Sequence, residues 1–200
     1  MVVIDDGTDP VGDLLEGCPG VRYARVPCRL TAGAKRNLAC DLAQGELIAH
    51  WDDGLAEQAA PLLAQTCDAT GLVTTHMLEM PATRFWTLSG ELHHRMFVGD
   101  VHGGTLVFLK SLLRQCIRYP EVNLAEDATL IRQFTQRRKR VQRVADPGLF
   151  VYVRHGHNTW LFDPDHFVDP HGWRATAAPA EFSAGALESY RAACQQASSA

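Results

Sequence analysis

Several patterns that identify common protein classes are missing from this 200-residue sequence. The six cysteines are scattered without a CxxC pair or the spacing of a zinc site, which favours reduced thiols in a cytoplasmic protein. No run reaches the roughly 18 apolar residues of a membrane span, so we expect no transmembrane segment. The first residues also lack the basic region, apolar run and cleavage site of a secretory signal. No GxGxxG motif follows the first predicted strand, which argues against a Rossmann-type oxidoreductase.

The sequence also has little excess charge of either sign. Its 19 Lys and Arg residues and 23 Asp and Glu residues give a net charge of −4. Because nucleic-acid binding usually needs a basic face, we expect no nucleic-acid partner; only residues 132–143 are densely basic. The length and the 46% hydrophobic content fit one soluble domain. We therefore expect a single domain over residues 1–200, ending in a helix and tail over 180–200.

The hydrophobic pattern predicts alternating strands and helices. This alternation favours an α/β fold with a mostly parallel, Rossmann-related sheet flanked by helices. Residues 83–100 show a weaker pattern, which we interpret as irregular strand or loop. Strands are predicted at 2–4, 21–26, 47–51, 71–80, 105–108, 141–144 and 149–153. Helices are predicted at 34–42, 55–66, 109–118, 126–138 and 180–196.

Two pairs of aspartates follow predicted strands. Asp5-Asp6 ends the first strand, and Asp52-Asp53 ends the strand that begins at Leu47. Open α/β sheets bind ligands at the carboxyl ends of their strands, and adjacent carboxylates there suit Mg²⁺ or Mn²⁺ with a substrate phosphate. The pairs also have plainer interpretations, a tight turn at Asp5-Asp6 and a helix cap at Asp52-Asp53.

Three further segments carry candidate side chains. Glu126-Asp127 opens an amphipathic helix and supplies either helix-capping charge or a general base. Gly103-Gly104 permits close backbone approach to a ligand, or simply forms a turn. His155 follows a strand and is a candidate ligand for a metal ion or a diphosphate.

Taken in order, these motifs resemble family 2 of the inverting glycosyltransferases, which have the GT-A fold. The resemblance extends over about residues 2–160. It is carried by Val3-Ile4-Asp5-Asp6-Gly7-Thr8-Asp9, Gly33-Ala34-Lys35-Arg36-Asn37, Gly45-Glu46-Leu47-Ile48-Ala49-His50-Trp51-Asp52-Asp53, Gly103-Gly104-Thr105, Leu124-Ala125-Glu126-Asp127 and Arg154-His155-Gly156-His157-Asn158-Thr159.

The resemblance implies a metal-assisted transfer of a sugar from a nucleotide-sugar donor to an acceptor hydroxyl. Asp127 would be the general base, with Glu126 beside it. Asp53 and His155 would bind a divalent cation, Mn²⁺ or Mg²⁺. The donor would be held by Asp5, Asp6, Arg36, Asn37, Asp52 and Gly104.

Two departures from the family pattern leave an alternative open. Members of the family have a further strand and helix before the strand that here begins at Val2, so we expect an N-terminally shortened GT-A domain. Gly54 stands where the carboxylate cluster of the family continues. The alternative is a catalytically inactive GT-A remnant that acts as a binding or assembly module, as a homo-oligomer formed through an exposed sheet edge.

Overall fold

The computed structural model describes residues 1–49, 55–73, 75–80, 82–88, 98–145, 150–155, 173–180 and 182–197. Short 3₁₀ turns occupy Val98–Asp100, Gly103–Thr105 and Lys110–Gln115. The described strands are β1 (Val2–Asp5), β2 (Arg22–Arg25), β3 (Leu47–Ala49), β4 (Ala69–Leu72), β5 (Thr75–Glu79), β6 (Arg84–Leu88), β7 (Val107–Leu109), β8 (Val141–Val144), β9 (Val151–Arg154) and β10 (Trp173–Thr176). The described helices are α1 (Gly12–Leu15), α2 (Ala32–Leu42), α3 (Leu55–Leu63), α4 (Glu126–Gln136) and α5 (Ala184–Ala197).

The described strands form three sheets, and the two larger ones contain both parallel and antiparallel pairs. β1 and β2 pair with each other, and the two larger sheets have the orders β3-β7-β4-β8 and β10-β6-β5-β9. Among the described strands, the pairs β1–β2, β4–β8 and β5–β9 are parallel, and the other pairs are antiparallel. The expectation of a mostly parallel sheet is therefore wrong. One reason is the short connection between β5 and β6, since parallel pairing needs a crossover of a dozen or more residues.

Several elements differ from the sequence-based expectations. The strand predicted over 71–80 is two strands, β4 and β5, which belong to different sheets. Residues 84–88, expected to be irregular strand or loop, form the regular strand β6, and Lys110–Gln115, within the helix predicted over 109–118, is a 3₁₀ turn. The strand at 141–144 and the helix that begins at Glu126 are confirmed.

A central core joins the sheet β3-β7-β4-β8 to helices α2 and α4. Leu130, Ile131 and Phe134 of α4 are fully buried because they recur at the spacing of one helix face. The ring of Phe134 packs 5.6 Å from that of Phe108 on β7. Burial of these side chains fixes the position of the amino-terminal end of α4, where Glu126 and Asp127 lie.

A second core lies on the sheet β10-β6-β5-β9. Leu78, Met80 and Phe85 are buried there, and Val151 and Val153 of β9 pack against them. Phe182 and Leu187 also contact this core and so attach the C-terminal helix α5 to the sheet. No helix within the described ranges is long and apolar enough to cross a membrane.

Candidate active site

A cavity of about 800 Å³ brings several of the candidate residues together. It is lined by parts of α2, α4, α5, β9 and the turns between Val98 and Gly104. Five residues that the sequence singled out line it: Arg36, Gly103, Gly104, Glu126 and Asp127. These residues are far apart in the sequence, and the two cores bring them to one place.

Helix α2 is fixed tightly against the segment before α4. The side-chain oxygen of Thr31 caps α2 by accepting the amide hydrogen of Ala34 at 3.2 Å. A Cβ atom on Gly33 would lie 1.7 Å from the carbonyl oxygen of Pro120, so only glycine allows this approach. Asn37 donates to the carbonyl of Tyr119 at 2.9 Å and accepts from its amide at 3.1 Å. The side chain of Asn37 thus connects α2 to the chain that leads into α4.

Arg36 and Glu126 form an ion pair at the cavity wall. Their nearest side-chain atoms are 3.2 Å apart, and Glu126 is buried whereas Arg36 is about one-third exposed. The guanidinium carbon of Arg36 also lies 5.6 Å from the centre of the Tyr119 ring, within the range of a cation–π interaction. Tyr119 is buried, and the loss of hydration raises its pKa well above the usual value, so it stays neutral.

Asp127 lies directly against the Gly103 backbone. A Cβ atom on Gly103 would come within 2.0 Å of Oδ2 of Asp127, so glycine is required for this carboxylate to sit where it does. Oδ1 of Asp127 accepts the amide hydrogen of Ala128 at 2.6 Å. Ala125, just before α4, has a left-handed backbone with a φ of 59°. This conformation costs a non-glycine residue about 1 kcal/mol, and strain of this kind often occurs at functional sites.

The turn behind Asp127 is held by His102. Nδ1 of His102 accepts the amide hydrogen of Gly104 at 3.1 Å. The hydroxyl of Thr105 donates to the carbonyl of His102 at 2.7 Å and accepts from the amide of Leu72 at 3.0 Å. The glycine pair is therefore attached to the end of β4. Because Nδ1 accepts a hydrogen bond, the imidazole of His102 carries its proton on Nε2 in this arrangement.

Aromatic side chains form another part of the cavity wall. Phe150 and Tyr152 lie two residues apart along the chain, with ring centres 4.8 and 6.0 Å from that of His102. Tyr190 of α5 also lines the cavity and is 40% exposed. Its ring is stacked on Phe182, 6.3 Å between centres. This wall supplies apolar faces beside the charged groups of α2 and α4.

Asp5 and Asp6 do not line the cavity, and their oxygens are engaged by the chain itself. Asp5 accepts hydrogen bonds from the hydroxyl of Tyr23 and the amides of Gly7 and Val11, which with nearby Arg25 lower its pKa to about 2. Asp6 accepts from the amide of Leu30 at 2.9 Å and from Lys35 at 3.0 Å, and these bonds lower its pKa too. Both carboxylates connect the end of β1 to neighbouring segments.

The expected metal site lies partly outside the described residues. Asp52 and Asp53 lie outside the described residues, and His155 is exposed just after β9. Among the residues that the structure describes, no group of three His, Cys, Asp or Glu side chains could hold a metal ion.

Sequence reasoning missed some of the residues that line the cavity. Asn123, Tyr152 and Tyr190 face it, and His102 both lines it and holds the glycine turn. The position of His102 directly before Gly103-Gly104 is the one local signal that could have identified it. The tyrosines carry no such signal, because β9 and α5 reach the cavity only through tertiary packing.

The chain has a glycosyltransferase-like fold. Comparison with solved structures matches it to a crystal structure of residues 1–349 of Staphylococcus aureus TarS, with a TM-score of 0.55 and 16% sequence identity. The match covers 76% of this chain, which spans half of the TarS structure. At this identity the similarity concerns the fold alone. No protein-family model and no curated protein matches the sequence.

Proposed function

We propose that this protein transfers a sugar from a nucleoside-diphosphate sugar to an acceptor hydroxyl, with inversion at the anomeric carbon. The observation that carries the proposal is the placement of Asp127. Its carboxylate lies against Gly103 in a cavity of about 800 Å³ that also contains Arg36. The glycosyltransferase-like fold and the resemblance of the sequence motifs support the same reaction.

In this reaction Asp127 takes the proton of the acceptor hydroxyl. The acceptor oxygen attacks the anomeric carbon and forms the new glycosidic C–O bond. The bond from that carbon to the diphosphate oxygen breaks on the opposite side, and its electron pair leaves with the nucleoside diphosphate. A carboxylate in hydrogen-bonding reach of the hydroxyl is suited to this role.

The two adjacent carboxylates have different environments, which separates their roles. Glu126 is neutralised by the guanidinium of Arg36, whereas no lysine or arginine of the described residues forms an ion pair with Asp127. We assign Asp127 as the general base. Glu126 instead orients Arg36, whose guanidinium brings positive charge to the cavity that would receive the negatively charged donor substrate.

Asp53 and His155 remain the proposed ligands of a divalent cation, which would neutralise the diphosphate when bound. His155 lies directly after β9 and is exposed. No step above depends on the metal. An Asp53→Ala variant is expected to abolish any effect of Mn²⁺ on nucleotide binding.

The alternative of an inactive binding module is favoured by one observation. The carboxylates of Asp5 and Asp6, which the family resemblance assigns to the donor, are already occupied by hydrogen bonds within the chain. If these bonds persist, a nucleotide has to be recognised by other groups.

Thermal unfolding with UDP, GDP and dTDP, each with and without Mn²⁺, distinguishes the two functions. A ligand at about 100 times its dissociation constant adds about 2.7 kcal/mol to the unfolding free energy, which shifts the midpoint clearly. We expect a shift with one nucleotide, reduced in Arg36→Gln and unchanged in Arg114→Gln, an exposed arginine away from the cavity. A cooperative transition that no nucleotide moves would favour the binding module.

A further inference from the structure

The cavity contains an aromatic wall that the proposed reaction does not use. The wall consists of His102, Phe150, Tyr152 and Tyr190. Phe150 is buried and His102 packs on it, so these two rings form the support. Tyr152 is partly exposed and Tyr190 is 40% exposed, so these rings present surface to a ligand.

Side-chain contacts support the wall on both sides. His102 is fixed by the hydrogen bond from Gly104 and contacts both Phe150 and Tyr152. Tyr190 is stacked on Phe182, which itself packs edge-to-face on Phe85 at 5.2 Å. Because these contacts support the rings, stacking a ligand on them is expected to require little additional ordering.

Polar groups surround the wall within the same cavity. Asp127 contributes a carboxylate, and Arg36 and Arg132 contribute guanidinium groups. The side-chain oxygen of Asn123 accepts the amide hydrogen of Ala32 at 3.0 Å, which fixes the Asn123 amide group at the cavity wall. A ligand bound here thus meets apolar ring faces and hydrogen-bonding groups together.

We propose that Tyr152 and Tyr190 form a subsite for a pyranose ring, so that the acceptor is a carbohydrate. A pyranose has an apolar face of C–H groups and a rim of hydroxyls, which complements aromatic faces beside carboxylate and amide groups. Its hydroxyls would be presented to Asp127 in the shared cavity. The role as acceptor rests on the proposed function, but sugar binding itself does not.

Saturation-transfer-difference NMR with the full chain tests this subsite. The probes are the methyl glycosides of glucose, galactose and N-acetylglucosamine, which resemble the end of a glycan. Glycerol, the peptides Gly-Ser-Gly and Gly-Thr-Gly, and uridine, guanosine and thymidine serve as comparison ligands. We expect saturation transfer from the protein to the ring C–H protons of at least one glycoside, and no saturation transfer to glycerol or the peptides.

Tyr190→Ala and Tyr152→Phe separate stacking from other effects. Tyr190 is at the surface, so Tyr190→Ala is expected to fold and to weaken glycoside binding about tenfold, equivalent to about 1.4 kcal/mol. Tyr152→Phe keeps the ring and is expected to retain binding. Tyr23→Phe, outside the cavity, is the control for loss of a tyrosine hydroxyl.

Several results would overturn the subsite. The subsite would be wrong if no glycoside bound, if saturation were transferred to a peptide instead, or if Tyr190→Ala left glycoside binding unchanged. A nucleoside that loses binding in Tyr190→Ala would identify the wall as part of the donor site, contrary to the proposal. A nucleotide-dependent thermal shift without glycoside binding would leave glycosyl transfer standing and remove only this inference. Glycoside binding without a thermal shift from any nucleotide would support the subsite and argue against glycosyl transfer.

Discussion

At the scale of single residues, the neighbouring carboxylates of Glu126 and Asp127 have different surroundings. Glu126 is buried and paired with Arg36, whereas Asp127 is placed by the Gly103 backbone. A buried carboxylate and its partner depend on each other, since removing either leaves the other poorly solvated. The structural contribution of Glu126 and the proposed chemical contribution of Asp127 can therefore be measured separately.

Glu126→Gln is expected to lower the free energy of unfolding by about 1–3 kcal/mol, because Arg36 loses its charge partner. Urea unfolding of this variant, of Arg36→Gln and of the double variant measures the coupling between the two side chains. Glu121→Gln, an exposed neighbour, should have little effect. Additive losses in the double variant would show that the two side chains are not coupled and would contradict a stabilising ion pair.

The lowered pKa of Asp5 predicts a specific dependence of stability on pH. The folded-state pKa is about 2, below the ordinary 3.8, so ionised Asp5 stabilises the fold above pH 3.8. This contribution is lost as the pH falls from about 4 towards 2. In urea unfolding at pH 7, 4 and 3, the stability difference between wild type and Asp5→Asn should shrink towards the acid end. A constant difference, or an equal loss in the exposed Asp9→Asn control, would contradict the role of Asp5.

At the scale of elements, α2 is the part of the site whose position is most tightly defined. Gly33 and Asn37 fix this helix against residues 119 and 120, and Thr31 caps its amino-terminal end. Arg36 lies between Gly33 and Asn37 in the same helix, so displacement of α2 also moves the guanidinium away from Glu126. The close packing of Gly33 thus determines the position of the Arg36 guanidinium.

Gly33→Ala is expected to destabilise the fold by about 1–3 kcal/mol and to weaken nucleotide binding, because its Cβ would overlap the Pro120 carbonyl. Gly185→Ala in α5 is the matched control. No atom lies within 4 Å of the position of its Cβ, so it should stabilise the helix by about 0.5–1 kcal/mol. Thermal unfolding of both variants with and without nucleotide makes the comparison. Equal stability of the two variants would contradict the close packing of α2.

At the scale of the whole molecule, local sequence patterns predicted single helices and strands better than they predicted how the strands pair. The helix from Glu126 and the strand at 141–144 follow from hydrophobic spacing within a few residues. The mixed sheets depend on pairing between distant segments, such as β4 with β8, which no local pattern specifies. The same holds for the cavity. The sequence predicted the glycine pair and the two carboxylates as candidates, but it did not predict the wall formed by β9 and α5.

The measurement that tests the central claim most directly is sugar transfer by wild type and by Asp127→Asn. The assay uses the nucleotide-sugar whose base shifts the thermal transition, with the methyl glycosides as acceptors, and follows release of the nucleoside diphosphate and formation of the new glycoside. We expect wild type to form product and Asp127→Asn to lose about 10²–10⁴-fold in rate with nucleotide binding retained. The exposed Asp13→Asn is expected to keep the wild-type rate. Full transfer activity in Asp127→Asn, or no product from wild type that binds the nucleotide, would contradict the account.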